Sequence, residues 1–531
     1  MSAPVDLAHA PAAPTRSTGA PDPQWLAELH DDVVATSGET RTVLAPATGE
    51  PLHELPLSTP DDVADAFART RLAHLAWARA GFAHRRKVLL RAHDLIVARR
   101  EQFIDLVRIE TGKSRGQAFE EVYQAAAAAR YNALAARSVL RSRRVHSGAP
   151  TVIDARVRYR PRGVAGVITP WNFPLSLAAM DVMPALAAGC GVVQKADEQA
   201  ALNILELRRA LVDAGLPGDL WAVVTGDGAT IGEAVTDRAD VIAFTGSTAT
   251  GRRIAAKAAE RLVPASLELG GKNPLIVLDD VDPERAARQA AYACYSSMGQ
   301  LCVSPERIYV QRGVADAFTE ALVRTIEGLV IDPSPRSTGD VGTLTSHAQL
   351  DRVRGHLDDA LAKGATVLAG GVHRPDLGPY AFEPTLLADV SPDMACFAEE
   401  TFGAIVAISV VDDDDEAVLA ANAGDYGLNA VVLSGSVPRA RRVAAALETG
   451  SVNINEGYRG SFSSIAAPMG GSKQSGLGRR NGPDGLKRYV ESVTIAAANG
   501  PIAPPNSARE WRRLEQPMLL LLRAQRALRR R

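Results

Sequence analysis

Cysteine is scarce in this chain: Cys190, Cys294, Cys302 and Cys396 are its four, among 531 residues. They lack metal-ligand spacing and suggest no disulfide framework, which fits a reducing cytoplasm. The ten histidines form no pair or cluster suited to a metal. Excess charge is missing as well. The formal net charge is -2, so no overall field draws the chain to nucleic acid or to acidic membranes. Long apolar runs are also absent. The longest leucine run, Leu519 to Leu522, is far too short to span a bilayer. The N-terminus has neither the charged start nor the apolar core of a secretory signal, and reads as a disordered, Ala- and Pro-rich tail over 1–24.

What is present is ordinary for a soluble enzyme: 46% hydrophobic and 23% charged residues. At this length one core is not enough, so two or three domains are expected. Residues 61–141 show helical periodicity, and Val152 to Tyr159 alternates like a strand with one exposed face. Short apolar strands then alternate with helix-like runs: 163–168, 191–195, 221–224, 241–244 and 266–269. This predicts a parallel α/β sheet of the dinucleotide-binding kind. A second series follows at 306–310, 366–368, 405–410 and 431–433, with a late strand at 490–495. The C-terminal stretch from Trp511 carries seven arginines and the leucine run. It reads as packing at the chain end, with a basic amphipathic helix on a membrane surface or partner subunit as the alternative.

Chemistry concentrates in a few segments. Cys302 ends Gly299-Gln300-Leu301-Cys302, Glu268 opens Glu268-Leu269-Gly270-Gly271-Lys272-Asn273-Pro274, and Asn172 lies in Trp171-Asn172-Phe173-Pro174. A thiol, a carboxylate base and an amide able to hold an oxyanion make a covalent acyl-transfer set. Phe244-Thr245-Gly246-Ser247-Thr248 joins a buried strand to an Ala-rich helix, where Gly246 admits a pyrophosphate and Ser247 can donate at a helix N-terminus. Gly226-Asp227-Gly228-Ala229-Thr230-Ile231-Gly232 approaches the dinucleotide fingerprint with one residue too many, and an ordinary turn explains it equally well.

Together with Glu399-Glu400-Thr401-Phe402-Gly403, these segments resemble the aldehyde dehydrogenase superfamily, from about Thr42 to about Ala496. The resemblance implies an α/β fold with a Rossmann-type cofactor domain (25–140 and 162–271), an α/β catalytic domain (272–485) and a protruding oligomerisation ribbon (141–161 and 486–500), followed by a basic extension (501–531). Its strands would pair across subunits in a homodimer or homotetramer. It implies that Cys302 attacks the aldehyde, that Asn172 and the Cys302 backbone N–H hold the oxyanion, and that Glu268 activates the water that hydrolyses the thioester. Trp171, Gly228, Phe244, Gly246, Ser247 and Leu269 would line the cofactor path. Glu400 would bind the nicotinamide ribose and Phe402 would support the ring, while Lys195 and Glu198 would grip the adenosine ribose. A carboxylate at 198 repels the extra phosphate of NADP, so NAD is the expected cofactor, with NADP as the alternative.

Substrate is read from Asn453 to Arg459, Ala467 to Gly471 and Gly478 to Leu486, which resemble bacterial succinic semialdehyde dehydrogenases. Better-known members with that activity carry arginines where Met180 and Ser296 stand here. Arg459 is therefore the candidate partner of the distal carboxylate, beside Tyr458 and Phe462. The alternative is an apolar tunnel of Tyr458 and Phe462 for uncharged aldehydes. A cysteine hydrolase or acyl-transferase would need a histidine near the thiol and no phosphate-binding segment.

Overall fold

The computed structural model describes residues 22–147, 152–334, 338–498 and 505–528. Nearly all of the expected N-terminal tail lies outside them, but its predicted end is too late. Asp22 caps a helix at Pro23–His30 by accepting from Gln24 N–H, and Pro23 suits the first helical turn. A hairpin, Thr40–Leu44 with Pro51–Pro56, precedes the helices Pro60–Arg79, Gly81–Ala98, Arg100–Thr111 and Arg115–Leu140.

Two sheets organise the rest. The first runs in the order Gly476–Leu477, Ala265–Glu268, Val241–Thr245, Val164–Ile168, Gly191–Lys195, Trp221–Val224, parallel except for the short first strand. Its earliest strand is central, so the chain winds outward in both directions. A doubly wound sheet leaves a crevice at the C-terminal ends of its strands, where the order reverses. Lys195, Thr245 and Glu268 end three of these strands, and Thr169 to Asn172 follow a fourth. Strands 164–168, 191–195, 221–224 and 241–245 are buried along their whole length, as a sheet covered on both faces requires.

The second sheet has the order Thr366–Ala369, Thr385–Ala388, Ile405–Val411, Pro305–Gln311, Asn273–Val277, Asn429–Leu433, Ser451–Ile454, with only its first strand antiparallel. Here the N-terminal ends matter. Cys302 lies just before Pro305, Glu400 before Ile405, and Gly270-Gly271 before Asn273. The C-terminal edge of one sheet thus meets the N-terminal edge of the other, with the thiol between them.

The expected ribbon is present as a three-stranded sheet. Ile153–Pro161 pairs antiparallel with Val490–Ala498 of the same chain over nine positions, and Arg143–Val145 adds a third strand. These two strands satisfy one another's backbone groups within one chain. The C-terminal helix Ala508–Ala527 buries no residue and leaves Trp511 and Leu519 to Leu522 exposed. No helix among the described residues is long and apolar enough to cross a membrane.

Candidate active site

The loop that carries Cys302 is fixed before the thiol is reached. Ser297, Met298 and Gly299 all have positive φ, an uncommon sequence of left-handed residues that turns the helix Pro283–Tyr295 sharply into the loop. A side chain at Gly299 would strike the Gly403 carbonyl. The Gln300 amide donates to the carbonyls of Ser297 (3.1 Å) and Thr343 (3.3 Å) and accepts from Thr345 N–H at 3.0 Å. Asn273 donates to the carbonyls of Cys302 at 2.7 Å and Ser304 at 2.9 Å. This anchors the loop to the second sheet.

Cys302, Asn172 and Glu268 line one cavity of about 190 Å³ with Trp171, Thr245, Gly246, Ser247, Leu269, Gly270, Glu400 and Phe402. Asn172 is buried. One hydrogen of its amide goes to the Gln300 carbonyl at 2.9 Å, which orients the group beside the thiol. Burial pushes the Cys302 thiol up to about 12, and the Glu400 and Glu268 carboxylates push the same way. The resting group is a neutral thiol, so attack on a carbonyl must be coupled to loss of its proton.

Glu268 is 3% exposed, and neither carboxylate oxygen has a hydrogen-bond partner among the described residues. Burial raises it to about 7, against the pull of Arg480 and Arg488. A carboxyl group titrating there can take a proton from water at neutral pH. The charges behind it escaped the sequence reading. Asp181 accepts from Arg480 at 2.9 Å and from Arg488 at 2.5 Å, and Arg480 also donates to Thr245 Oγ1 at 2.7 Å. Two cations on one anion leave net positive charge beside an unpartnered carboxylate.

The opposite side of the thiol is apolar. A second, narrow cavity of about 20 Å³ is lined by Phe173, Leu177, Leu301, Val303, Tyr458, Phe462 and Met469, together with Asn172, Thr245, Glu268, Cys302 and Arg480. Tyr458 and Phe462 line this cavity. Arg459 does not. Its guanidinium pairs with Glu456 at 2.9 and 3.0 Å and lies over the Tyr292 ring, 3.9 Å from the centroid. It lines a separate surface cavity with Glu120, because an acid three residues earlier on an exposed turn offers it a partner that the apolar tunnel does not.

The predicted cofactor residues divide into three groups. Trp171 and Phe402 meet edge to face at 5.7 Å, and Glu400 accepts from Gly271 N–H at 2.8 Å. A buried Glu306, ion-paired with Lys272, accepts from the N–H groups of Thr401 and Phe402 at 2.9 and 2.8 Å and so holds that loop. Burial raises Glu400 to about 7, with Glu306 adding to the effect. Lys195, Gly228 and Phe244 line a further cavity of about 280 Å³ along the helix Thr248–Glu260, whose N-cap is Ser247. Open space above Gly228, a helix N-terminus capped by Ser247 and a buried Lys195 suit a dinucleotide. Glu198 lies apart from Lys195. It pairs with Arg41 and lines another cavity with residues of the strand Thr40–Leu44.

Residues 33–495 match the model of the aldehyde dehydrogenase family. A Mycobacterium tuberculosis protein, provisionally named succinate-semialdehyde dehydrogenase [NADP(+)] 2, is 46% identical over 86% of this chain and 89% of its own length. A rice mitochondrial succinate-semialdehyde dehydrogenase is 36% identical over 88% of each chain. Among solved structures, a Sinorhizobium meliloti NAD-dependent aldehyde dehydrogenase superposes with a TM-score of 0.84 at 34% identity, over 89% of this chain and 94% of that one. An Escherichia coli NADP-dependent enzyme gives 0.83 at 33% identity, over 87% and 96%.

Proposed function

The chain belongs to the aldehyde dehydrogenase family, and from that premise we propose that it oxidises an aldehyde to a carboxylic acid with NAD(P) as acceptor. The observation that carries the reading is one cavity holding Cys302, Asn172 and an unpartnered Glu268 against the phosphate-binding turn at Gly246-Ser247. The cofactor supplies the hydride acceptor and, through its cationic ring, a charge that favours thiolate. Cys302 Sγ bonds to the aldehyde carbon, and its proton leaves to water. The new oxyanion rests on the free Asn172 N–H and the Cys302 backbone N–H; losing one such donor typically costs about 3–4 kcal/mol of barrier. Departure of hydride from that tetrahedral carbon leaves a thioester on Cys302. Glu268 then takes a proton from water as the water oxygen attacks, and the acid leaves with the thiol restored.

The substrate we favour is succinic semialdehyde, on the names of the relatives. A second reading, an uncharged aliphatic or aromatic aldehyde, rests on the apolar wall of the narrow cavity. A buried carboxylate without a partner is costly, so the distal charge of a semialdehyde must find a cation or reach water. Turnover of an aldehyde series at fixed cofactor decides between them. A kcat/KM for succinic semialdehyde at least tenfold above that for butyraldehyde supports the first, and the reverse order supports the second. We further propose a cytoplasmic homodimer or homotetramer that uses the ribbon, whose residues 494–498 are exposed.

A further inference from the structure

The formal net charge of -2 conceals a segregated one. Residues 508–531 hold eight arginines, two glutamates and no other charged side chain, a net of +6, so the rest of the chain carries -8. Most of that positive segment is the helix Ala508–Ala527, opened by a Ser507 cap that accepts from Glu510 N–H. It lies beyond residues 33–495, which match the family model, so the family's chemistry does not account for it.

The helix is two-sided. Helical periodicity puts Trp511, Leu514, Met518, Leu521, Leu522 and Leu528 on one side. Arg509, Arg512, Arg513 and Arg523 fall on the other, with Leu519 and Arg526 at the border and Leu520 among the arginines. The apolar side is left open: Trp511 is 52% exposed, Leu522 56% and Leu528 66%, and no residue of the helix is buried. The packing expected for this stretch therefore does not occur among the described residues. A second copy of the helix would cover that side poorly. A two-stranded seam would use Trp511, Leu514, Met518, Leu521, Gln525 and Leu528, which places an amide in it and leaves Leu519, Leu520 and Leu522 outside. It would also bring two strongly positive segments together, and Pro517 lacks the N–H that would bond the Arg513 carbonyl. An anionic bilayer satisfies both sides at once. Apolar side chains enter the boundary between headgroups and acyl chains, Trp511 suits that boundary, and the arginines meet anionic headgroups. The acidic remainder of the chain is repelled by the same surface and stays in water.

We propose that the helix Ala508–Ala527 is a reversible anchor that lies in the plane of an anionic lipid bilayer, with Trp511, Leu514, Met518, Leu521 and Leu522 inserted and the arginines on the headgroups. The test sediments the full-length protein with vesicles of phosphatidylcholine alone, or of equal parts phosphatidylcholine and phosphatidylglycerol. Melting temperature and gel-filtration size are measured in parallel. The partition coefficient on mixed vesicles is expected to be at least about tenfold larger than on neutral ones. It should fall at least about fivefold when salt is raised from about 0.1 M to about 0.5 M, because screening shortens the reach of the arginines. Met518→Gln/Leu522→Gln, one turn apart on the apolar side, is expected to lower binding to mixed vesicles at least about tenfold. Leu520→Gln removes the same kind of side chain from the arginine side and should stay within about threefold of wild type.

Arg512→Gln/Arg513→Gln/Arg523→Gln tests the other side of the helix. It should remove most of the preference for anionic vesicles while leaving binding to neutral ones unchanged. Because the helix buries no residue, melting temperature and particle size should not change in any of these variants. Three results overturn the proposal: no binding to either vesicle, equal binding to both, or the same loss from Leu520→Gln as from Met518→Gln/Leu522→Gln. A lower melting temperature or a smaller particle for Met518→Gln/Leu522→Gln would also overturn it, by showing that the apolar side packs on the body of the protein or on a second copy. No aldehyde or dinucleotide enters these measurements, so failure of the dehydrogenase reading would leave them unchanged.

Discussion

The two sides of Cys302 are built on different principles. The proposed cofactor side is roomier and carries more polar groups, and strand ends and backbone contribute to it: Gly246, Gly270, the N-cap at Ser247 and the N–H of Gly271. The substrate side is narrow, apolar and made mainly of side chains from distant segments, with Phe173 and Leu177 meeting Val303, Tyr458, Phe462 and Met469. Backbone geometry is fixed by fold and tolerates little variation, since a side chain at Gly270 would collide with the Glu400 carboxylate. Side-chain walls can be exchanged at modest cost. On the proposed reading, the cofactor would rest largely on backbone fixed by the fold, while the choice of aldehyde would depend on side chains that are more easily exchanged.

The thiol belongs to both sides, so its loss should have the largest effect and should separate them. Cys302→Ser is expected to reduce aldehyde oxidation by more than about a hundredfold, because a hydroxyl is a far weaker nucleophile at neutral pH. Affinity for dinucleotide, read by titration, should stay within about threefold, since exchanging sulfur for oxygen leaves every other residue lining that cavity in place. A residual rate above one-hundredth of wild type would remove Cys302 from the chemistry.

Glu268 comes next. Glu268→Gln should release one equivalent of reduced cofactor per site in a rapid burst and then turn over very slowly, because only hydrolysis of the thioester needs the base. With its carboxyl raised to about 7, the wild-type steady rate should climb with pH below neutrality and level off above it, as the protonated and inactive form gives way to carboxylate. Equal steady rates in mutant and wild type would assign hydrolysis to another group.

Arg480 sharpens the comparison, since it lines the substrate-side cavity but bears on the base. Facing Glu268 are Arg480, Arg488, Arg479 and Asp181, and the Cys302 thiol lies near it. Removing the Arg480 cation takes away the largest pull that favours the charged carboxylate, so the pH at which Glu268 ionises must rise. Arg480→Gln is therefore expected to lower steady turnover at pH 7 by about threefold to tenfold and to recover most of it near pH 9. The burst of reduced cofactor should be unaffected. A loss that is the same at every pH would show a structural effect, as would a fall in melting temperature that accounts for the lost activity.

Legibility in the sequence follows the same division. The two strand–helix series, the thiol loop and the Gly246-Ser247 turn are local patterns, and each can be read within a dozen residues. What the sequence concealed are pairings over long separations: Arg480 with Asp181 across 299 residues, Arg41 with Glu198 across 157, and Glu306 holding the Phe402 loop across 96. No periodicity signals such contacts. The Thr40–Leu44 and Pro51–Pro56 hairpin also escaped notice, because its strands are short, largely exposed and punctuated by proline. The left-handed run at Ser297 and Met298 has no sequence signal, since neither residue favours that conformation.

Arg459 provides the smallest expected effect and the most direct way to break the comparison. As the candidate partner of a distal carboxylate it should have faced the thiol cavity, but it is tied to Glu456 and stacked on Tyr292 at the surface. Tyr292 and Tyr458 both donate to Glu120, so a carboxylate lies close to that guanidinium, where a second anion would meet repulsion. A half-exposed pair of this kind contributes little, typically about 0–1 kcal/mol, so its removal should be nearly silent. Arg459→Ala is accordingly expected to change KM for succinic semialdehyde and for butyraldehyde by less than threefold each, with kcat unchanged. A charge-assisted contact to the substrate would be worth about 1.5–3 kcal/mol, or at least tenfold in KM for the charged aldehyde alone. If that selective tenfold loss were measured, Arg459 would have to leave Glu456 when substrate arrives, and the substrate side would carry a charged anchor after all.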